Sequence, residues 1–270
     1  MRAVPALVVA ALALALGCRT YARNDDYQSV IAVWRDVVRK RPDNRVARYN
    51  LGTELMVQGR AAEALVELDR AIHLKPVPGQ TKMELQAHVN RGRALMELGR
   101  WDEAIDAFDR ALQIKAAVPL AYKCRGMCYE QLKKPEAAIE DFSRALEITP
   151  ADTEVLMHLG KLYRAAGQRD FAIEDFSRAA EFDRDSAEPL VSVAECYLDA
   201  QRFAEAQAAL DKAIRLDPDC AAAYLSRARC YFDQRLYDRA WADVQKSRQL
   251  GTEPSAEFLQ ELKAKLRRFD

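Results

Sequence analysis

The chain has 270 residues, half of them hydrophobic, with ten glycines, ten prolines and few β-branched residues, which favours an all-helical protein. Its 41 basic and 41 acidic residues cancel to a formal charge of zero. This balance argues against nucleic acid as a partner, because such binding needs a surplus of Lys and Arg, and against simple electrostatic docking to an anionic membrane.

Residues 1–18 form the first distinct segment. A basic start is followed by an apolar run over residues 3–16 and then by Gly17 and Cys18. The run is shorter than the roughly 20 residues that a membrane-spanning helix needs, and its basic, apolar and small parts in that order are typical of a secretory signal. The position of Cys18 directly after Gly17 resembles a bacterial lipoprotein signal, in which this Cys carries the lipid.

This resemblance implies an exported protein of the cell envelope or periplasm, held at a membrane through lipidation of Cys18. The usual lipoprotein pattern has Leu three residues before the Cys and a small residue two before it, whereas Ala15 and Leu16 occupy those places here. Two alternatives therefore stay open: a cleaved, soluble protein and a retained, uncleaved anchor.

A repeat with a period of 34 residues fills the middle of the chain. Residues 103–112, 137–146 and 171–180 nearly copy one another, each one period after the last. Small residues recur at the same interval, as Gly92, Gly126, Gly160, Ala194 and Ala228. Self-similarity at a fixed interval of this length indicates supersecondary units that stack on their neighbours.

The period resembles the tetratricopeptide repeat, a pair of helices, A and B, with large and small residues at set positions. In the third copy, positions 4, 7, 8, 11, 20, 24, 27 and 32 are Tyr122, Arg125, Gly126, Tyr129, Ala138, Phe142, Ala145 and Pro150. The small residues let the helix backbones approach, and the large ones fill the space beside them. The pattern fits six copies, at about residues 45–78, 85–118, 119–152, 153–186, 187–220 and 221–252.

The resemblance implies an all-α fold: a right-handed α-solenoid of about six helical hairpins with a capping helix at each end. Residues 24–44 are expected to form the N-terminal capping helix, because Pro42 lies one period before Pro76. Residues 253–270 are expected to form the C-terminal one, an amphipathic helix with Leu262 on its apolar face.

Six extra residues, 79–84, separate the first two repeats. Thr81 and Glu84 match a capping-box pattern, so helix A of repeat two is expected to begin near Thr81. A local loop that contacts a partner is the alternative.

The sequence contains no pattern of catalytic or metal-binding residues. The three histidines, His73, His88 and His158, lie on three different repeats and none is at ligand spacing from another. Phosphate-binding loops and nucleophile elbows are absent, and the cysteines of the repeats are expected to be small buried residues in helix contacts. We therefore predict no enzymatic activity, no metal and no cofactor.

The family's geometry implies that the inner positions of the A helices line a concave groove. Four of the chain's six Met residues fall on this surface, and thioether side chains adapt to varied apolar partners. The alternative is that these Met side chains only pack between adjacent A helices. The predicted partner-binding residues are Tyr49, Met56, Val89, Arg93, Met96, Lys123, Met127, Met157, Lys161, Arg164, Glu195 and Arg229.

These features predict a protein–protein interaction scaffold or adaptor of the bacterial cell envelope that binds a peptide segment in its groove. The expected partners are proteins or peptides, together with the membrane through the lipid anchor, and not nucleic acid or a small-molecule substrate. The alternative is a periplasmic assembly chaperone or pilotin-like factor for a secreted or pilus component.

Overall fold

A computed structural model describes residues 29–75 and 79–266 of the chain. These residues form fourteen α-helices and no strand, and none of the helices among them is long and apolar enough to cross a membrane. The signal-like segment and Cys18 lie outside the described residues. The helices are α1 (Val30–Lys40), α2 (Arg45–Val57), α3 (Ala61–His73), α4 (Thr81–Glu97), α5 (Trp101–Ile114), α6 (Pro119–Gln131), α7 (Pro135–Ile148), α8 (Thr153–Ala165), α9 (Arg169–Phe182), α10 (Glu188–Asp199), α11 (Phe203–Leu216), α12 (Ala221–Asp233), α13 (Tyr237–Gln249) and α14 (Ala256–Leu266).

The chain divides into two compact units, Met1–Lys134 and Pro135–Asp270. The division falls between the two helices of repeat three, so the first unit contains α1 to α6 and the second α7 to α14. Within each unit every helix packs against the next one along the chain, as stacked hairpins do. The expectation of an all-α fold built from repeated hairpins is confirmed.

Each hairpin closes where a small residue of helix A meets a large residue of helix B. A Cβ atom added at Gly92 would lie 2.6 Å from the Phe108 ring, and one added at Gly160 would lie 2.5 Å from the Phe176 ring. Real Cβ atoms do not approach other atoms this closely, so glycine is required for the two helices to cross at this separation.

Helix A of every repeat ends in the left-handed backbone conformation. Glycine occupies this place in three repeats, with φ between 69° and 74° at Gly59, Gly99 and Gly167. In the other three repeats the residue is Lys133, Gln201 or Arg235, with φ between 56° and 64°. The following amide bonds back into the helix in each case, for example Arg202 N to Tyr197 O at 2.8 Å. This reversal directs the chain into helix B whatever the side chain.

The capping helices cover the two ends. In α1, Ile31 is buried, and Trp34 and Val38 pack with it against Leu51 and Leu55 of α2. In α14, Leu262 is buried in a cluster with residues of α12 and α13. The predicted caps extend to residues 24 and 270, but positions 24–28 and 267–270 lie outside the described residues.

The insertion between the first two repeats lengthens helix α4 at its start. The helix begins at Thr81, as the sequence predicts, but Gln80 is the N-cap residue and no side chain caps the helix, so the predicted capping box is wrong. Glu84 instead lies 3.5 Å from the guanidinium of Arg45, a buried residue of α2 whose Nε donates to Ala71 O. The additional turn therefore brings a carboxylate to a buried cation, which needs a partner of opposite charge.

Candidate functional site

The predicted groove residues are divided between the two units. Met157, Lys161, Arg164, Glu195 and Arg229 lie in the second unit, and the others lie in the first. Exposure separates them further: Arg93, Lys161 and Arg229 are exposed, and Val89 and Met157 are buried. The half-buried ones are Tyr49, Met56, Met96, Lys123, Met127, Arg164 and Glu195.

In the first unit, the apolar members of the set belong to the helix contacts. Val89 is only 1% exposed and lies in one buried cluster with Ala121 of α6, so its assignment to the groove is wrong. Its side chain is covered because successive A helices pack directly on one another. Met96 packs against the same cluster, and Met56 packs against this cluster and the one before it. The thioethers thus fill gaps between repeats, which favours the alternative given for them above.

A buried polar chain also links the first two repeats. Asn90 is buried, and its Nδ2 donates to Thr53 Oγ1 at 3.1 Å, while Thr53 Oγ1 donates to Tyr49 O at 2.9 Å. These groups are satisfied within the protein and stabilise the register of α2 against α4. Of the charged residues predicted for the groove in this unit, Arg93 is exposed and Lys123 is half-buried.

In the second unit, the basic residues of α8 are paired with acidic residues of α10. Arg164 donates from Nε to Asp199 Oδ2 at 2.7 Å and also forms an ion pair with Glu195. Lys161 Nζ lies 3.5 Å from Glu188 Oε1. The charges expected to orient a bound peptide therefore neutralise one another between repeats four and five. Met157 is 9% exposed and contributes little surface here.

The end of the second unit contains a cleft between α12 and α14, which we call the C-terminal cleft. Its apolar floor includes Phe232 and Phe258, whose ring centroids lie 5.3 Å apart in an edge-on arrangement. Burial raises the pKa of Asp233, and the neighbouring Arg229 opposes that rise. The cleft is lined by Glu195, Leu225, Ser226, Arg229, Phe232, Asp233, Pro254, Ser255, Glu257, Phe258 and Glu261.

Only Glu195 and Arg229 of this lining are among the predicted residues. The repeat register contained a signal for three more, because Leu225, Phe232 and Asp233 occupy inner positions of helix A in repeat six. Glu257 and Glu261 are four residues apart and share one face of α14, but nothing in the sequence shows that this face meets α12.

The side chains of His88, His158 and Cys196 take part in helix packing. His158 stacks on Phe142 with ring centroids 5.2 Å apart, and burial lowers the pKa of His88. Cys196 is a buried thiol whose pKa is raised by burial to about 11, which keeps it protonated and unreactive at neutral pH. Within the two described stretches, no group of three or more His, Cys, Asp or Glu side chains is placed to hold a metal ion.

Comparison with known proteins places this geometry among repeat proteins. The tetratricopeptide repeat family model matches residues 14–80, 89–153 and 194–251, which together are more than half of the chain. No sequence among curated proteins matches the chain significantly.

Solved structures are similar at the level of the fold. The crystal structure of YrrB, described as a TPR protein with an unusual peptide-binding site, has 23% identity and a TM-score of 0.59, and the match covers 70% of this chain and 95% of YrrB. A tetratricopeptide repeat protein from Parabacteroides merdae has 23% identity and a TM-score of 0.57, over 92% of this chain and 94% of that one. PilF of Pseudomonas aeruginosa has 19% identity and a TM-score of 0.55, over 64% and 79% of the two chains.

Proposed function

Because the chain belongs to the tetratricopeptide repeat family, we propose that it is an interaction scaffold that holds a peptide segment of a partner protein on the inner faces of its A helices. The observation that carries the proposal is the separation of two sets of residues along each A helix. The small residues that face helix B are buried, whereas Arg93, Lys161 and Arg229, at one shared position of the repeat, are exposed. The stacking contacts thus leave Arg93 in the first unit and Arg229 in the second available to a partner, whereas Lys161 is exposed but lies 3.5 Å from Glu188.

The similarity to YrrB supports the same proposal at the level of the fold, since the description of that protein names a peptide-binding site. Family membership supports a scaffold in general, and the peptide groove is our specific proposal. An interaction surface of this kind needs no catalytic group.

We assign the scaffold to the bacterial cell envelope, with Cys18 as the site of a lipid anchor. This assignment rests on the sequence of residues 1–18, whose order of basic, apolar and small residues is typical of an export signal. Mass spectrometry of the mature N-terminus tests it. We expect a lipidated Cys18 as the first residue, and an unmodified peptide that contains Cys18 would contradict the anchor.

Site-specific photo-crosslinking in intact cells tests the proposed groove. A photoreactive residue is placed at Arg93, Lys161 or Arg229 on the inner side, and at Glu140 or Glu174 on the exposed side of the B helices as matched controls. We expect adducts with partner protein from the inner positions only. Equal adducts from the B-helix positions, or adducts from those positions alone, would contradict the proposal. Fast release of the partner in a dissociation measurement, together with suppressed aggregation of an unfolded client, would indicate the assembly chaperone instead.

A further inference from the structure

The C-terminal cleft combines an apolar floor with an excess of negative charge. Phe232 of α12 and Phe258 of α14 form the floor. The lining contains four acidic residues, Glu195, Asp233, Glu257 and Glu261, and one basic residue, Arg229. The chain as a whole has a formal charge of zero, so this local excess is a property of the cleft and not of the composition.

Glu195 of the cleft is paired with Arg164, but the other three carboxylates have no ion-pair partner among the residues that the structure describes. Some exposed acidic residues outside the cleft do form ion pairs, such as Glu205 with the N-cap residue Arg202 at 2.9 Å. Over residues 29–75 and 79–266, Asp233, Glu257 and Glu261 have no Lys or Arg nitrogen within 4 Å, and Arg229 has no carboxylate within that distance. A cation that enters the cleft therefore gains attraction without displacing an existing ion pair.

Desolvation strengthens this argument. Asp233 is beside the apolar floor, where burial disfavours its charged form. A carboxylate in such a place gains more from an incoming cation than one in bulk water does, because the effective dielectric constant is lower. The aromatic rings next to it offer a surface for an aliphatic or aromatic side chain, and their faces also attract cations.

We infer that the C-terminal cleft binds a partner segment in which a Lys or Arg side chain lies next to an aromatic or aliphatic one. The basic group pairs with Glu257 and Glu261, and the apolar side chain packs against Phe232 and Phe258. This inference rests on the proposed function and deepens it, because it gives the chemistry of the segment held at one end of the groove. The capping helix α14 is then part of the binding surface as well as a cover for the last repeat.

Fluorescence anisotropy with two labelled peptides tests the inference on the full-length chain in detergent. One probe has the sequence Gly-Ser-Lys-Phe-Arg-Leu-Gly-Ser, and the other has Glu in place of both basic residues. We expect saturable binding of the basic probe, weakened by added salt, and no binding of the acidic probe. Equal binding of both probes, or of neither, would overturn the inference.

Variants locate the binding. The double substitution Glu257→Gln and Glu261→Gln should weaken the basic probe by about three- to tenfold, as expected for two solvent-exposed charge contacts. Arg229→Gln should tighten it by about two- to fivefold, because the one competing cation is removed. Glu205→Gln, on the exposed face of α11, is the matched control and should change nothing. Circular dichroism at the assay temperature confirms that each variant is folded, and unchanged affinity in folded variants would contradict the assignment.

The same experiments separate this inference from the proposed function. Partner adducts from Arg93 and Lys161 together with no peptide binding would remove the cleft assignment and leave the scaffold intact. Absence of adducts from every inner position would remove the scaffold itself. If the chain self-associates and the basic probe disrupts that self-association, the occupant of the cleft is a second copy of the chain. This result would overturn the partner assignment.

Discussion

Asp175 is a buried carboxylate whose repeat lacks the basic partner found in other copies. In repeat six, the guanidinium of Arg227 binds both oxygens of Asp243, at 2.8 and 2.9 Å. Two periods earlier the equivalent residues are Leu159 and Asp175. Asp175 is 7% exposed, and its ion pair is with Arg178 on its own helix at 3.3 Å. Burial therefore raises the pKa of Asp175 to about 6, while Arg178 lowers it and Glu174 raises it.

This environment predicts a stability that falls as the pH rises through 6. The folded protein favours the neutral carboxyl, whose pKa is about 6, more than the unfolded chain does, where the value is about 3.9. The advantage is present in full below about pH 4 and is lost as the pH rises through 6. Asp175→Asn should therefore raise the free energy of unfolding at pH 7.5 by about 1–3 kcal/mol and much less at pH 4.5.

Urea denaturation of the wild type and the Asn variant at the two pH values measures this difference. Glu181→Gln, an exposed change on the same helix, is the control and should shift neither value. An Asp175→Asn protein with the same gain at both pH values would show that the amide packs better for reasons unrelated to ionisation.

The glycine of helix A and the large residue of helix B are matched in volume. Repeat four pairs Gly160 with Phe176, whereas the equivalent residues of repeat five are Ala194 and Leu210, all of them buried. Gly160→Ala should cost about 1–3 kcal/mol, because its Cβ would overlap the Phe176 ring. Adding Phe176→Leu recreates the pairing of repeat five, so the double variant should lose less than the sum of the two single ones. A double-mutant cycle by chemical denaturation measures the coupling, and strictly additive losses would contradict the volume argument.

At the scale of the helix, the left-handed residue in the turn between helices A and B is glycine in some repeats and a residue with a side chain in others. Gln201 has a φ of 57°, and it is exposed. A residue with a Cβ pays about 1 kcal/mol in this conformation, which glycine adopts freely. Gln201→Gly should therefore raise the free energy of unfolding by about 0.5–1 kcal/mol, partly offset by the greater entropy of the unfolded chain.

Thermal denaturation of two further variants checks the sign. Gly167→Ala, at the equivalent place in repeat four where φ is 74°, should be destabilising. Ala200→Gly, one residue before Gln201 and at a negative φ of −95°, should give no gain. A gain of equal size at residue 200 would contradict the argument, because glycine relieves no left-handed conformation there and adds entropy only to the unfolded chain.

The helices could be predicted from the sequence because their packing depends on side-chain volume, and the residue type alone determines that volume. Gly92, Gly160 and the alanines that follow them mark each crossing without knowledge of the rest of the chain. The capping box failed for a different reason. Glu84 is taken by Arg45 of another helix, and such a contact between repeats is invisible in a local motif.

The site was harder to predict than the fold, because the exposure and pairing of its residues also depend on contacts between repeats. Whether an inner residue is exposed depends on how closely the next helix A approaches. The next helix A covers Val89, whereas Arg93 remains exposed to solvent. Arg164 occupies an inner position, but Glu195 and Asp199 of the next repeat already bind it. The face of α14 that meets α12 is set by the fold of the last repeat, so Glu257 was not identified as a groove residue.

At the scale of the whole molecule, stability and the proposed binding depend on different residues. The buried small and large residues join each hairpin to its neighbours, whereas the proposed recognition uses exposed residues on the inner faces of the A helices. Repeat proteins gain stability from intrinsic and nearest-neighbour terms, so the effect of a local defect declines with distance along the chain. Substitution of an exposed inner residue such as Arg93 is therefore expected to leave the fold intact, and α14 can serve both as a cover and as a binding surface.

Leu262 provides the test of this nearest-neighbour behaviour. It is fully buried in a cluster with Tyr231 of α12 and Val244 of α13. Leu262→Ala should cost about 2–5 kcal/mol of local stability, since it removes a core side chain at the end of the stack. Hydrogen exchange should then show faster amide exchange in α12 to α14 and unchanged exchange in α2 to α5. Leu216→Ala, a half-exposed position at the end of α11, is the control and should change neither region. Uniformly faster exchange along the whole chain would instead mean that both units unfold in a single cooperative step, and local terms would no longer describe the protein.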